Sequence, residues 1–236
     1  MPPVASATAL LVRDELIGFA KSKVMLVLWV VLPLIAIVGY FLLPATLTGG
    51  GLGDGLGGGL SATAFMGFLE SSLSGTVAAL MVAVDIVSEK NRKVYELFVI
   101  RPIRREAIIW AKFIAVFSCV TVACVVAMAL GIAVDVIRGQ PMTGPMIYDA
   151  VKSVVALTGV IALSAAVGVF FGVVARSILV AVILILYVGQ NLAIVPMLPM
   201  YLGILPGHFW VLMAVSGALV GVLLWISGLL FRRAEL

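Results

Sequence analysis

Charge is what this chain has least of. Of its 236 residues only 11% are Asp, Glu, Lys or Arg, one is histidine and two are cysteine, while 64% are hydrophobic. The mean hydropathy of +1.28 lies far outside the range of a soluble domain. One histidine and two cysteines cannot build a metal cluster or a disulfide framework, and no Ser/His/Asp set is available within the apolar runs for nucleophilic catalysis. Cys119 and Cys124 share one apolar run on different helix faces and read as ordinary lipid-phase residues. No Walker A sequence occurs, so the chain cannot hydrolyse ATP by the P-loop route on its own, and it is expected not to be an enzyme. No internal repeat is visible, which speaks against the common secondary-transporter folds.

What the chain does have is apolar runs that approach or exceed the roughly 20 residues a helix needs to cross a bilayer. They predict an all-α integral membrane protein with six transmembrane helices. These run from about Val24 to Leu43 (with Pro33 in the middle), Phe65 to Val87, Ala111 to Val134, Val151 to Val174, Ile178 to Val195 and Phe209 to Phe231. The whole chain, 1–236, reads as one transmembrane domain: an amphipathic cytoplasmic N-terminus over 1–23, a six-helix region over 24–231 and a cytoplasmic tail over 232–236. Val4 to Ala20 places Leu10, Leu11, Leu16, Ile17 and Phe19 among Arg13, Asp14 and Glu15, the pattern of a helix lying at the membrane surface. The first apolar run follows this charged stretch and has no small-x-small cleavage site, so it is not expected to be a signal peptide.

The pI near 9.3 could suggest nucleic acid, but the basic residues flank apolar spans. With the N-terminus inside, thirteen of the fifteen Lys and Arg residues fall on the cytoplasmic side, Arg138 and Lys152 being the two outside. The positive-inside rule then puts both termini in the cytoplasm and the chain in the cytoplasmic membrane. The outer connection at 48–60 (TGGGLGDGLGGGL) is nearly all glycine, a flexible linker. Its formal G-x-G-x-x-G at Gly53, Gly55 and Gly58 has neither a preceding strand nor a following Lys-Ser/Thr, so no nucleotide role is assigned to it.

Six of the fifteen basic residues lie between Ser88 and Glu106. Ser88 could cap a short helix running to about Ile100, supported by Glu89–Lys93 and Arg92–Glu96 pairs four residues apart. Val94, Leu97 and Phe98 would form its apolar stripe, and Pro102 would end it. Such a loop could simply fix topology and rest its stripe on lipid. It could equally be a coupling helix whose stripe enters a groove on a cytoplasmic ATPase. The residues alone leave both readings standing.

Within the spans few polar residues remain. Glu70, near the outer end of the second span, is either a functional carboxylate in hydrocarbon or a headgroup-zone residue. Asp85, at the inner end, is expected to pair with a nearby base. Gln190 and Asn191 either line a pathway or bond between helices, the second being the simpler. Ser164, Gly168 and Gly172, and the GxxxG of Gly217 and Gly221, predict close helix packing, within the chain or across a dimer. Pro196, Pro199 and Pro206 with Gly203 and Gly207 read either as a plain extracellular loop or as a short re-entrant or outer-gate element, beside His208, which reads as structural.

The stretch around Glu89 resembles the loop between the second and third helices of ABC-2-type transporter permeases. The resemblance is carried by Glu89 and Arg92, Glu96 with Leu97, Pro102 with Ile103, then Arg105, Glu106 and Lys112. Val94-Tyr95 and Ala111 depart from it, where the family often has Gly-Thr and Gly. The resemblance implies a permease that dimerises with an identical or homologous permease and binds two ATP-binding subunits, which hold ATP and Mg; this chain itself carries no cofactor. It implies ATPase contacts at Glu89, Arg92, Tyr95, Glu96, Leu97 and Phe98, while Glu70, Gln190 and Asn191 stay candidates for the pathway on their polarity within the spans alone. Export of a hydrophobic or amphiphilic small molecule, such as a drug or antibiotic, is the expected function. Export of a lipid or lipid-linked glycan is the first alternative, and a membrane scaffold or immunity protein or a secondary transporter the second.

Overall fold

The computed structural model describes residues 4–42, 62–92, 105–137, 144–194 and 208–233. The Gly-rich segment, Tyr95, Glu96, Leu97, Phe98 and the Pro196–Gly207 element lie outside them. The described residues are all helical apart from short breaks: α1 (Val4–Ala20), α2 (Lys23–Leu42), α3 (Ala62–Asn91), α4 (Arg105–Ile137), α5 (Gly144–Val174), α6 (Ile178–Leu184), a π-helical turn (Ile185–Gly189), α7 (Gln190–Ile194) and α8 (Phe209–Arg233).

Four of these hold segments long and apolar enough to cross a bilayer: Glu70–Asn91, Glu106–Ala133, Val151–Val174 and Phe209–Arg232. The α1–α2 pair, bent by 62° at its break, makes a fifth if it forms a single span. The apolar stretch Ile178–Leu192 is shorter, and the π turn interrupts it. The expected count of six therefore exceeds what length and composition establish among the described residues.

The N-terminal segment is a helix over the residues expected. Leu11, Leu16 and Phe19 pack on the core, while Leu10 and Ile17 remain exposed. The chain breaks at Lys21–Ser22, and Ser22 restarts it: its Oγ accepts the Met25 backbone N–H at 3.1 Å, an N-cap. Helix α2 then runs through Pro33, as membrane helices tolerate. Its buried stripe Met25, Leu28, Leu32 recurs at helical spacing, and α1 and α2 both lean on α4.

The central seam joins α3 and α5. A Cβ on Gly168 would lie 2.6 Å from Ala79 Cα, one on Gly172 would lie 3.0 Å from Ala83 Cα, and one on Gly75 would meet Ser164 Oγ at 2.7 Å. Matching steps of four residues on both helices mean that α3 and α5 run parallel. The helix between them, α4, must therefore run back the other way. After Val174, Ser177 caps the next start by accepting the Val180 N–H at 3.3 Å. There the chain turns back, because Ala181 and Ile185 pack with Val167 and Phe171 of α5 and with Ala175 just after it.

Of the four long spans, the one in helix α8 is the least buried. A Cβ added to Gly217 or Gly221 would have nothing within 4 Å, so this GxxxG makes no contact with the described residues of the chain. All four tryptophans, Trp29, Trp110, Trp210 and Trp225, are exposed. That suits an aromatic belt at a membrane boundary.

Candidate functional site

One end of the bundle gathers most of the described charge. Helix α3 does not stop at Ser88 as a fresh N-cap would require: it continues to Asn91, and the Arg92 N–H donates to Ser88 O at 3.0 Å. The extra turn carries Glu89 inward. Lys112, near the start of α4 and only 1% exposed, reaches three carboxylates. Its Nζ lies 2.8 Å from Glu89 Oε1, 3.1 Å from Glu15 Oε1, and also donates to Asp85 Oδ2. Three helices, α1, α3 and α4, thus meet at one ammonium. Burying a lone lysine would be costly, and the partners offset that cost.

Two further contacts close the same end. Lys90 Nζ donates to Val173 O at 3.3 Å, tying α3 to the end of α5. Arg232 at the end of α8 pairs with Glu106 at the start of α4. Asp85 finds its base, as expected. Glu89, expected to face an ATPase, instead spends Oε1 on Lys112, while its Oε2 is buried without a hydrogen-bond partner among the described residues. Arg92 is exposed. Reading the loop residue by residue missed Glu15 and the shared role of Lys112. The signal was present: a basic residue entering a span needs a counter-charge at the same depth.

The other end of α3 holds Glu70, 2% exposed, with neither carboxylate oxygen hydrogen-bonded among the described residues. The Ser74 hydroxyl, one turn on, is already committed, since its Oγ donates to the Glu70 carbonyl oxygen. The buried Cys124 of α4 lies beside Ser74 at this place. Glu70 is thus enclosed by protein rather than open to its surroundings.

Gln190 and Asn191 part company. Gln190 Nε2 donates to Thr76 Oγ1 across to α3, an interhelical bond. Asn191 is exposed and donates to Tyr187 O of its own helix at 2.7 Å. The π turn just before them sets this register, and Gly189 lets it lie against Val167, whose Cγ1 is 3.2 Å from a would-be Cβ. Ser164, Gly168 and Gly172 form the seam against α3, so their packing is within the chain. No group of three or more metal-ligating residues occurs among the described residues.

Comparison with curated proteins finds no significant match. Against protein families the result is positive: residues 59–230 match the ABC-2 family transporter protein model. That match spans α3 through most of α8, including the α3–α5 seam and Lys112, Asp85 and Glu89 of the junction, but not Glu15. Several apolar helices around a charged end are what a multi-pass membrane transport component requires, and the chain belongs to the ABC-2 transporter family.

Proposed function

We propose that this chain is the permease subunit of an ATP-driven exporter, coupled through residues 93–104 to a separate ATP-binding subunit. The observation that carries the reading is the Lys112 junction. The connection 93–104 joins α3 to α4, and both helices are tied at its roots to each other and to α1 by one buried ammonium. A push delivered to that connection is therefore shared by three helices instead of being absorbed at a loose loop. Family membership supports the ATPase partner.

In this reading α2, α3, α4, α5, α6 with α7, and α8 are six crossings, with α1 along the inner surface. The charged end is cytoplasmic, and the permease works as a dimer in the cytoplasmic membrane. ATP and Mg belong to the partner, whose closure drives the junction. The contacts on this chain are Arg92, Tyr95, Glu96, Leu97 and Phe98, with Glu89 acting from behind as a brace to Lys112. The cargo is a hydrophobic or amphiphilic small molecule. In the described spans Glu70 is the sole carboxylate set apart from the basic residues of the charged end, and a small ion needs several buried ligands. Lipid or lipid-linked glycan export would use the same mechanics.

The test is affinity purification of the tagged chain from native membranes, with mass spectrometry of what accompanies it. A protein with Walker motifs is expected with the wild type and absent with the double variant Arg92→Glu, Glu96→Lys, which still inserts. Recovery of the chain alone after cross-linking, or undiminished complex with the double variant, overturns the coupling assignment.

A further inference from the structure

Glu70 is the group the coupling mechanism does not use. It is a carboxyl side chain at the first residue of the candidate span Glu70–Asn91, 2% exposed, with both oxygens unpartnered among the described residues. Along α3, at about 1.5 Å per residue, it lies about 22 Å from Asp85. The basic groups of the charged end are too far away to serve as its counter-ion. Among the described residues, polar groups beside it include the Ser74 hydroxyl, turned to the backbone carbonyl of Glu70 itself, and the Cys124 thiol of α4.

An isolated carboxylate anion in such a place would cost far more than a helix seam can offset, and a carboxyl group escapes that cost by taking up a proton. We infer that Glu70 is a proton-binding site built into the α3–α4 seam, loaded as a neutral carboxylic acid while the seam is closed. The Lys112 carboxylates are the internal contrast. Each of them stands against an ammonium, whereas no such partner is placed against Glu70 among the described residues. If the seam parts during the transport cycle, Glu70 meets water and can release its proton, so the site links protonation to the state of the seam. This inference does not depend on what the permease carries.

A hydrophobic carbodiimide tests it directly. Such a reagent adds the O–H of a neutral carboxylic acid across its N=C=N group: the carboxyl oxygen bonds to carbon and the proton goes to nitrogen. Acyl migration to nitrogen then leaves a stable adduct that peptide mass spectrometry locates. An ionised carboxylate lacks that proton, and a water-soluble carbodiimide cannot reach a buried one. In the full-length wild-type protein in native membranes at neutral pH, the hydrophobic reagent is expected to modify Glu70 and not Asp85, Glu89 or Glu15. The water-soluble reagent should spare Glu70. Because the readout is on the wild type, it does not rely on a variant folding. The near-isosteric Glu70→Gln should lose the adduct and keep the wild-type melting temperature, since a neutral amide replaces a neutral acid. An unmodified Glu70, or equal modification by the water-soluble reagent, would mean an ionised and hydrated carboxylate and would overturn the assignment. So would a marked rise in stability on Glu70→Gln, which is what removing a buried charge would produce.

Discussion

Lys112 shows how much one side chain can carry in a chain with so little charge. It is 1% exposed and faces Asp85, Glu89 and Glu15. Replacing it by methionine keeps the volume but leaves three carboxylates crowded together without a cation. Breaking a buried pair costs about 3–5 kcal/mol. The lower end applies here, because the carboxylates are 22–32% exposed and water partly relieves them. Lys112→Met should therefore lose about 3 kcal/mol, read as a lower melting temperature of the purified chain. Adding Asp85→Asn and Glu89→Gln should return much of it, because the uncompensated charge is gone. Unchanged melting of Lys112→Met would show that the junction does not hold the helices. Asp85's pairing was legible in the sequence, since a carboxylate at a span end needs a base. The fate of Glu89 was not. Local spacing offered Lys93 as its partner, and only the extra helical turn through Ser88 brings it round to Lys112. Glu15 lies almost a hundred residues away in sequence, and no local pattern announces that contact.

At the scale of elements, the two small-residue patterns have opposite fates. Gly168 and Gly172 lie against Ala79 and Ala83 backbone, whereas Gly217 and Gly221 face open space. Both were visible as four-residue repeats, but a repeat on one helix does not reveal what opposes it. The matching stripe of Gly75, Ala79 and Ala83 on α3 has the same spacing and completes the seam. Without a hydrophobic drive between helices in lipid, such close approach is what lets van der Waals contacts hold them. Gly168→Ala would push a methyl carbon to 2.6 Å from Ala79 Cα. Backbone cannot rotate away, so the helices must separate, at an overpacking cost of about 1–3 kcal/mol. Gly217→Ala and Gly221→Ala should leave the melting of the single chain unchanged. If this face meets a second permease, they should instead reduce the cross-linked dimer. A loss of single-chain stability at Gly217 as large as that at Gly168 would contradict the packing described.

For the whole molecule the open quantity is the number of crossings, and its parity is testable. If α1 and α2 form one bent span and Ile178–Leu192 does not cross, there are five crossings and the termini lie on opposite sides. With α2 crossing alone and the stretch from Ile178 also crossing, there are six and the termini share a side. The ion pairs favour the second count. Glu15 of α1 pairs with Lys112, and Arg232 at the end of α8 pairs with Glu106. Six residues of α4 separate Lys112 from Glu106, about 9 Å along the helix. Arg13, close to Glu15 on α1, therefore shares one end of the bundle with Arg232. Composition alone placed these residues on one side through the positive-inside rule, and the pairs reach the same result from independent geometry. Single cysteines at Arg13, Arg92, Arg232 and Arg138, introduced after replacing the buried Cys119 and Cys124 by alanine, convert this into a measurement. A membrane-impermeant maleimide applied to intact cells should label the Arg138→Cys protein alone. Arg13→Cys, Arg92→Cys and Arg232→Cys should react only after permeabilisation. Labelling of Arg13→Cys and Arg232→Cys from opposite sides would establish an odd count and mean that the stretch Ile178–Leu192 does not cross.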